Sequence, residues 1–169
     1  MLTKLIIENY ALIDRLEMDF SEGFSVITGE TGAGKSILLG ALSLILGNRG
    51  DVNVLLDSSR KCIVEGTFAI KGYPLEKIFR EHELDYDDNA IIRREILPNG
   101  KSRAFINDTP VNLALMKDLG EHLVNIHSQF SVITLNDADF QLAVLDNYSA
   151  NAQIIQKYRD DFIHYTRMN

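Results

Sequence analysis

The chain has 169 residues, 46% of them hydrophobic and 24% charged, which gives one domain of ordinary size with enough apolar side chain for a core. A formal net charge of −7 excludes a surface that is attractive overall to DNA or an anionic membrane, so nucleic-acid contact would need a local basic patch or further protein. The single cysteine, Cys62, excludes an internal disulfide, and the N-terminal residues lack the basic start and long apolar run of a signal peptide.

In chain order, Leu2 to Glu8 is rich in Leu and Ile and predicts a strand. Asn9-Tyr10 is predicted to turn the chain into Ala11 to Phe20, which alternates as a half-exposed strand does. After the turn Ser21-Glu22-Gly23, the apolar, β-branched run Phe24 to Thr28 predicts a buried central strand. A glycine-rich loop follows. Ser36 to Leu46 then reads as a helix apolar nearly all round, hence buried, with Gly47-Asn48 as its stop. Its longest apolar stretch is far below the roughly 20 residues that span a bilayer.

Arg49 to Arg60 reads as a loop and Cys62 to Ile70 as a strand that buries Cys62. Pro74 opens a short helix through Glu81. Asp85 to Asn89 is an acidic turn that lacks the central Gly and final Glu of a calcium loop. Ala90 to Leu97 and Ser102 to Ile106 form a hairpin about Pro98-Asn99-Gly100, and Asn107 to Pro110 turns again. Leu113 to Leu123 is helical by spacing, His127 to Thr134 reads as a loop, and Asp137 to Asn147 and Ala150 to Met168 are helical. Arg93, Arg94, Lys101 and Arg103 make that hairpin basic: a solvated face by default, with contact to nucleotide or DNA as the sharper alternative.

The motif G-x-x-x-x-G-K-[S/T] is met by Gly29, Gly34, Lys35 and Ser36 within Gly29-Glu30-Thr31-Gly32-Ala33-Gly34-Lys35-Ser36. Glycines let backbone N–H groups wrap a phosphate, and the helix that opens through Ile37 adds its positive N-terminal end. Lys35 is predicted to reach the β- and γ-phosphates and the Ser36 hydroxyl to ligate Mg²⁺, so the ligand is a nucleoside triphosphate, ATP with Mg²⁺. This loop fixes the ligand and leaves the job open among several enzyme classes. A GTPase would need an Asn-Lys-x-Asp motif, which is absent. A self-contained small-molecule kinase and a non-catalytic nucleotide-binding module stay as alternatives.

The two strands before the loop, the spelling Gly-Glu-Thr-Gly-Ala-Gly-Lys-Ser running on to Leu46-Gly47-Asn48-Arg49, Ser102 to Asn107, and Leu123 to Gln129 together resemble the RecN family of bacterial DNA repair proteins. These are SMC-like, ABC-type ATPases. The resemblance implies an α/β phosphate-loop NTPase fold of the ABC/SMC head type: a mixed sheet with an antiparallel portion and flanking helices. It implies that Gln129 senses Mg²⁺ and the γ-phosphate, although Ser128 and Phe130 depart from the family's usual His-Gly-Gln-His. A Walker B segment ending in Asp-Glu and a Leu-Ser-Gly-Gly signature are missing. The nearest imitation, Leu142 to Asp146, is followed by Asn147 and reads as helix.

Ile155, Tyr158, Phe162 and Tyr165 lie three or four residues apart, a heptad seam. By spacing alone an amphipathic helix packed on its own domain fits as well; the resemblance implies that residues 1–148 are the N-terminal half of an ATPase head and 149–169 the start of a coiled-coil helix. The implied partners are the C-terminal half of the same head, a second head across sandwiched ATP, and DNA through the whole protein, with no membrane and a cytoplasmic, nucleoid-associated location.

Overall fold

The computed structural model describes residues 1–28 and 34–126, together with residues 141, 142, 145, 148, 157, 158, 161, 162, 165 and 166. The chain divides into two units, Met1–Asn125 and Ile126–Asn169. The first holds strands β1 (Leu2–Tyr10), β2 (Ile13–Asp19), β3 (Cys62–Ala69), β4 (Asn89–Ile96), β5 (Ser102–Ile106) and β6 (Thr109–Val111), with helices α1 (Lys35–Ile45), α2 (Glu76–Glu81) and α3 (Leu113–Leu123). The strands form one sheet in the order β2-β1-β3-β4-β5-β6, every neighbouring pair antiparallel.

Period-two alternation sorts this sheet into two faces. Ile7, Val64, Arg94 and Ala104 are register partners across four strands, and with Leu5, Phe68, Ile92, Ile96 and Ile106 they line the inner face that carries the core. The outer face is charged: Lys4 pairs with Glu17, Arg93 with Glu65, and Lys61 with Glu95. Burying a large apolar side chain contributes about 1.5–3 kcal/mol, and Phe68, Ile7, Ile45, Ile92 and Ile106 are fully buried. Helix α1 lies on the inner face. A Cβ on Gly66 would stand 2.6 Å from Ile45 Cδ1, so the missing side chain at Gly66 is what lets α1 approach. Helix α3 meets the C-terminal end of α1 as closely, with Gly47 against the Lys117 backbone and Gly120 against Leu46.

Local chemistry accounts for the element ends. Helix α1 stops in a Schellman arrangement, with Gly47 at φ 86, Gly47 N donating to Leu44 O and Asn48 N to Ser43 O. Asn112 caps α3 by accepting from Leu115 N at 2.8 Å. The β4–β5 hairpin closes through Leu97 N to Lys101 O and Gly100 N to Leu97 O, with Gly100 at φ 80.

Four expectations are corrected. Phe24 to Thr28 forms no strand, and Phe24 and Val26 are 92% and 66% exposed. A strand is made by its neighbours, and among the described residues none pairs with this run. Helix α1 is buried on one side only: Ala41, Leu44 and Ile45 face the sheet, while Leu39 is exposed. The first hairpin turns at Ala11-Leu12, not Asn9-Tyr10, and Thr109–Val111 is a third strand of the β4–β6 meander, not part of a turn. Pro110 fits there because β6 is an edge strand.

In the second unit the described positions from 141 onward are helical. Tyr158, Phe162 and Tyr165 are exposed, the first two stacked with ring centroids 6.3 Å apart. Ile155 of the seam lies outside the described residues.

Candidate nucleotide-binding site

The site is built on the N-terminus of α1. Gly34 is the N-cap residue, with φ 92, a left-handed conformation that a residue carrying Cβ adopts only under strain. Leu38 N donates to Gly34 O at 2.9 Å, which starts the helical ladder at the motif's last glycine. Among the described residues no side chain caps this terminus, and no acidic residue stands in the first turn. The N-terminus of this 11-residue helix carries partial positive charge, which favours an anion. Lys35 opens the helix, half-buried, followed by the exposed Ser36 and the half-buried Ile37. An ammonium, a hydroxyl and a helix N-terminus are a donor set that fits a polyphosphate with a divalent cation.

Gly29, Glu30, Thr31, Gly32 and Ala33 lie outside the described residues, as do His127 and Gln129. The first turn of α1 brings Gly34, Lys35, Ser36 and Ile37 together. The basic hairpin is not one patch. Arg93 points to the outer face, 3.0 Å from Asp108, 3.7 Å from Glu65 and over the Phe105 ring at 4.7 Å. Arg94 points to the inner face, 2% exposed, with Nη2 donating to Ser102 Oγ at 2.9 Å. Burial lowers the pKa of Arg94. Cys62 is buried at 1% exposure, and burial pushes its thiol up to about 12, the opposite of an activated nucleophile.

Two features of this region escaped sequence reasoning. Asn9, buried and at φ 54, donates from Nδ2 to Asp57 O and Arg60 O and accepts at Oδ1 from Asp57 N. With Ala11 N donating to Val54 O, it ties the segment after α1 to the first hairpin. An asparagine beside a turn hints only at left-handed backbone, not at a partner 48 residues away. The second is an apolar cavity of about 290 Å³ beside Lys35, lined by Leu2, Leu5, Phe20, Leu38, Leu39 and other apolar side chains.

A glycine-rich phosphate-loop motif opening a helix packed on an antiparallel sheet defines a class, the phosphate-loop ATPase domain. The chain belongs to the AAA domain family AAA_23, which matches residues 4–163. Within that class its sequence is similar to the DNA repair protein RecN. Identity is 38% over 166 residues with RecN of Haemophilus influenzae, covering 96% of this chain and 30% of the relative. It is 34% over 173 residues with RecN of Bacillus subtilis, covering 99% and 30%. The chain thus spans about three-tenths of the length of these relatives.

Solved structures bear out the fold. A chain from work on ATP-driven dimerization and DNA stimulated activation of SMC ATPases superposes with a TM-score of 0.60 at 19% identity, covering 87% of this chain and 98% of that one. The SMC head domain from Thermotoga maritima gives 0.52 at 22% identity, covering 70% and 41%.

Proposed function

We propose that this chain is the ATP-binding portion of a RecN-like ATPase that acts in recombinational repair of DNA double-strand breaks. The observation that carries the reading is the motif Gly29 to Ser36 running into helix α1, with Gly34 left-handed at its N-cap. Lys35 holds the β- and γ-phosphates, Ser36 gives a hydroxyl to the cation, and Gln129 is assigned the sensing of cation and γ-phosphate. Mg²⁺, when bound, supplies charge neutralisation across the β- and γ-phosphates.

The hydrolytic carboxylate and the signature loop come from elsewhere. The exposed run Phe24 to Ile27, the exposed Leu39 and the apolar cavity beside Lys35 support a covering partner, which we assign to the rest of the head. ATP is then sandwiched between two such heads, and DNA is met by the whole protein. The exposed seam Tyr158, Phe162 and Tyr165 fits the start of a coiled coil.

The test is nucleotide titration of the intact protein. Lys35→Ala is expected to weaken ATP affinity by at least about 1.4 kcal/mol, one tenfold step. Equal affinity in the variant, with repair activity retained, refutes the assignment.

A further inference from the structure

We propose that Asn99 is a site of spontaneous deamidation, a chemical ageing site at the tip of the β4–β5 hairpin. Of the asparagines in the sequence, Asn99 alone is followed by glycine, and Pro98, Asn99 and Gly100 are all exposed. The reaction needs the backbone nitrogen of the following residue to reach the asparagine Cγ, which a side chain at that residue obstructs. Gly100 has none, and the place its Cβ would occupy is 3.7 Å from its nearest neighbour, Val52 Cγ1.

The side-chain amide is also set up for the reaction. Oδ1 accepts from Lys101 N at 3.1 Å, which polarises Cγ toward attack. Nδ2, the group that leaves, has no protein partner among the described residues. The other asparagines with placed side-chain bonds are held. Asn107 is bonded at both ends, from Ile91 N to Oδ1 and from Nδ2 to Asp85 O. Asn9 is buried and bonded three times, and Asn112 Oδ1 is committed to the α3 cap. Besides the exposed Oδ1 contact, what restrains Asn99 is the bond from Gly100 N to Leu97 O at 3.0 Å, and both open when the tip frays.

The chemistry requires only base and water. Base removes the Gly100 N–H proton, the nitrogen bonds to Asn99 Cγ, and the Cγ–Nδ2 bond breaks with loss of ammonia, leaving a succinimide. Water then opens either carbonyl. Breaking the new Cγ–N bond gives aspartate; breaking the original peptide bond gives isoaspartate, with the main chain rerouted through Cγ. Aspartate keeps the backbone and the acceptor for Lys101 N. Isoaspartate adds a backbone carbon inside a turn closed by Leu97 N to Lys101 O at 2.8 Å, so that closure is lost next to the Ser102–Arg94 contact.

The test is incubation of the intact protein in warm, mildly alkaline buffer, with peptide mapping by mass spectrometry that separates aspartate from isoaspartate. The amide-to-acid mass gain is expected at Asn99 before any other asparagine, in both product forms and faster as pH rises. Asn99→Gln should remove that early gain. The isoaspartate fraction should melt lower than fresh protein, and Asn99→Asp should melt with it. Earlier conversion at another asparagine overturns the proposal. So does an unchanged Asn99 while a synthetic peptide spanning Leu97 to Arg103 converts.

Discussion

Asn9 shows how one side chain can stabilise two distant segments. Its three hydrogen bonds go to main-chain groups of Asp57 and Arg60, and the residue is 2% exposed. Asn9→Ala leaves the Asp57 N–H and the Arg60 carbonyl without these partners at a half-buried site, while the Asp57 carbonyl keeps Arg60 N, and it places a Cβ-bearing residue without a helpful amide at φ 54. The expected loss is about 2–4 kcal/mol in denaturant unfolding of the intact protein. Asn9→Gly, which relaxes the backbone but also lacks the amide, should recover only the smaller conformational part. A loss below about 0.5 kcal/mol for both variants would show the clamp to be idle.

Arg94 is the opposite case. It is as deeply buried as Asn9, but among the described residues no carboxylate lies within ion-pair reach, and Ser102 is its one hydrogen-bond partner. A guanidinium taken out of water without a counter-ion contributes little net stability, so Arg94→Met should change it by no more than about 1 kcal/mol. A loss of several kcal/mol would reveal a partner for the charge. Cys62 gives a pH test. Its folded pKa of about 12 stands above the ordinary 9.0, so its contribution is complete below pH 9.0 and is lost as pH rises toward 12. Cys62→Ala, compared with the wild type, should flatten the decline of stability across that interval. At neutral pH the native thiol should resist thiol reagents until denaturant is added.

At the scale of elements, what could be read from sequence was what neighbours in the chain decide. Helix α3 begins at its Asn112 cap and ends at Leu123 as its spacing foretells, and the Pro98-Asn99-Gly100 tip joins the strands that alternation picks out. The start of α1 at the end of the glycine motif was legible because Gly34, left-handed at the N-cap, carries its physics with it. Phe24 to Thr28 was misread because its apolar character describes a strand in its final surroundings, and a strand's hydrogen bonds belong to its neighbours. The β1–β2 turn shifted by two residues for a similar reason: Asn9 is held by Asp57 and Arg60, which no local pattern announces. The assigned covering partner makes the run at 24–28 testable. In the chain alone its amides should exchange rapidly with solvent, and in the intact protein slowly. Phe24→Ser should hardly alter this chain, where Phe24 is 92% exposed, yet cost the intact protein about 2–4 kcal/mol. Equal effects in both would remove the covering partner from this face.

For the whole molecule, the question is how much chemistry three-tenths of a RecN-like length can perform. Binding and hydrolysis separate cleanly here. In the proposed function polyphosphate affinity rests on groups within this chain: the N-terminus of α1, Lys35 and Ser36. Hydrolysis needs in addition a carboxylate to orient the attacking water and a group to close over the γ-phosphate. Neither the Asp-Glu pair of a Walker B strand nor a Leu-Ser-Gly-Gly loop occurs in the sequence. Losing the general base alone removes about 10²–10⁴-fold in rate, before the closing loop is counted. The chain alone is therefore expected to show negligible phosphate release, while the intact protein turns over. The assay is phosphate release by both, each beside its Lys35→Ala variant, so that a contaminating ATPase is recognised by its indifference to that substitution. Robust turnover by the chain alone, abolished by Lys35→Ala, would mean that a carboxylate of this chain already serves the site, and the half-head reading would fall.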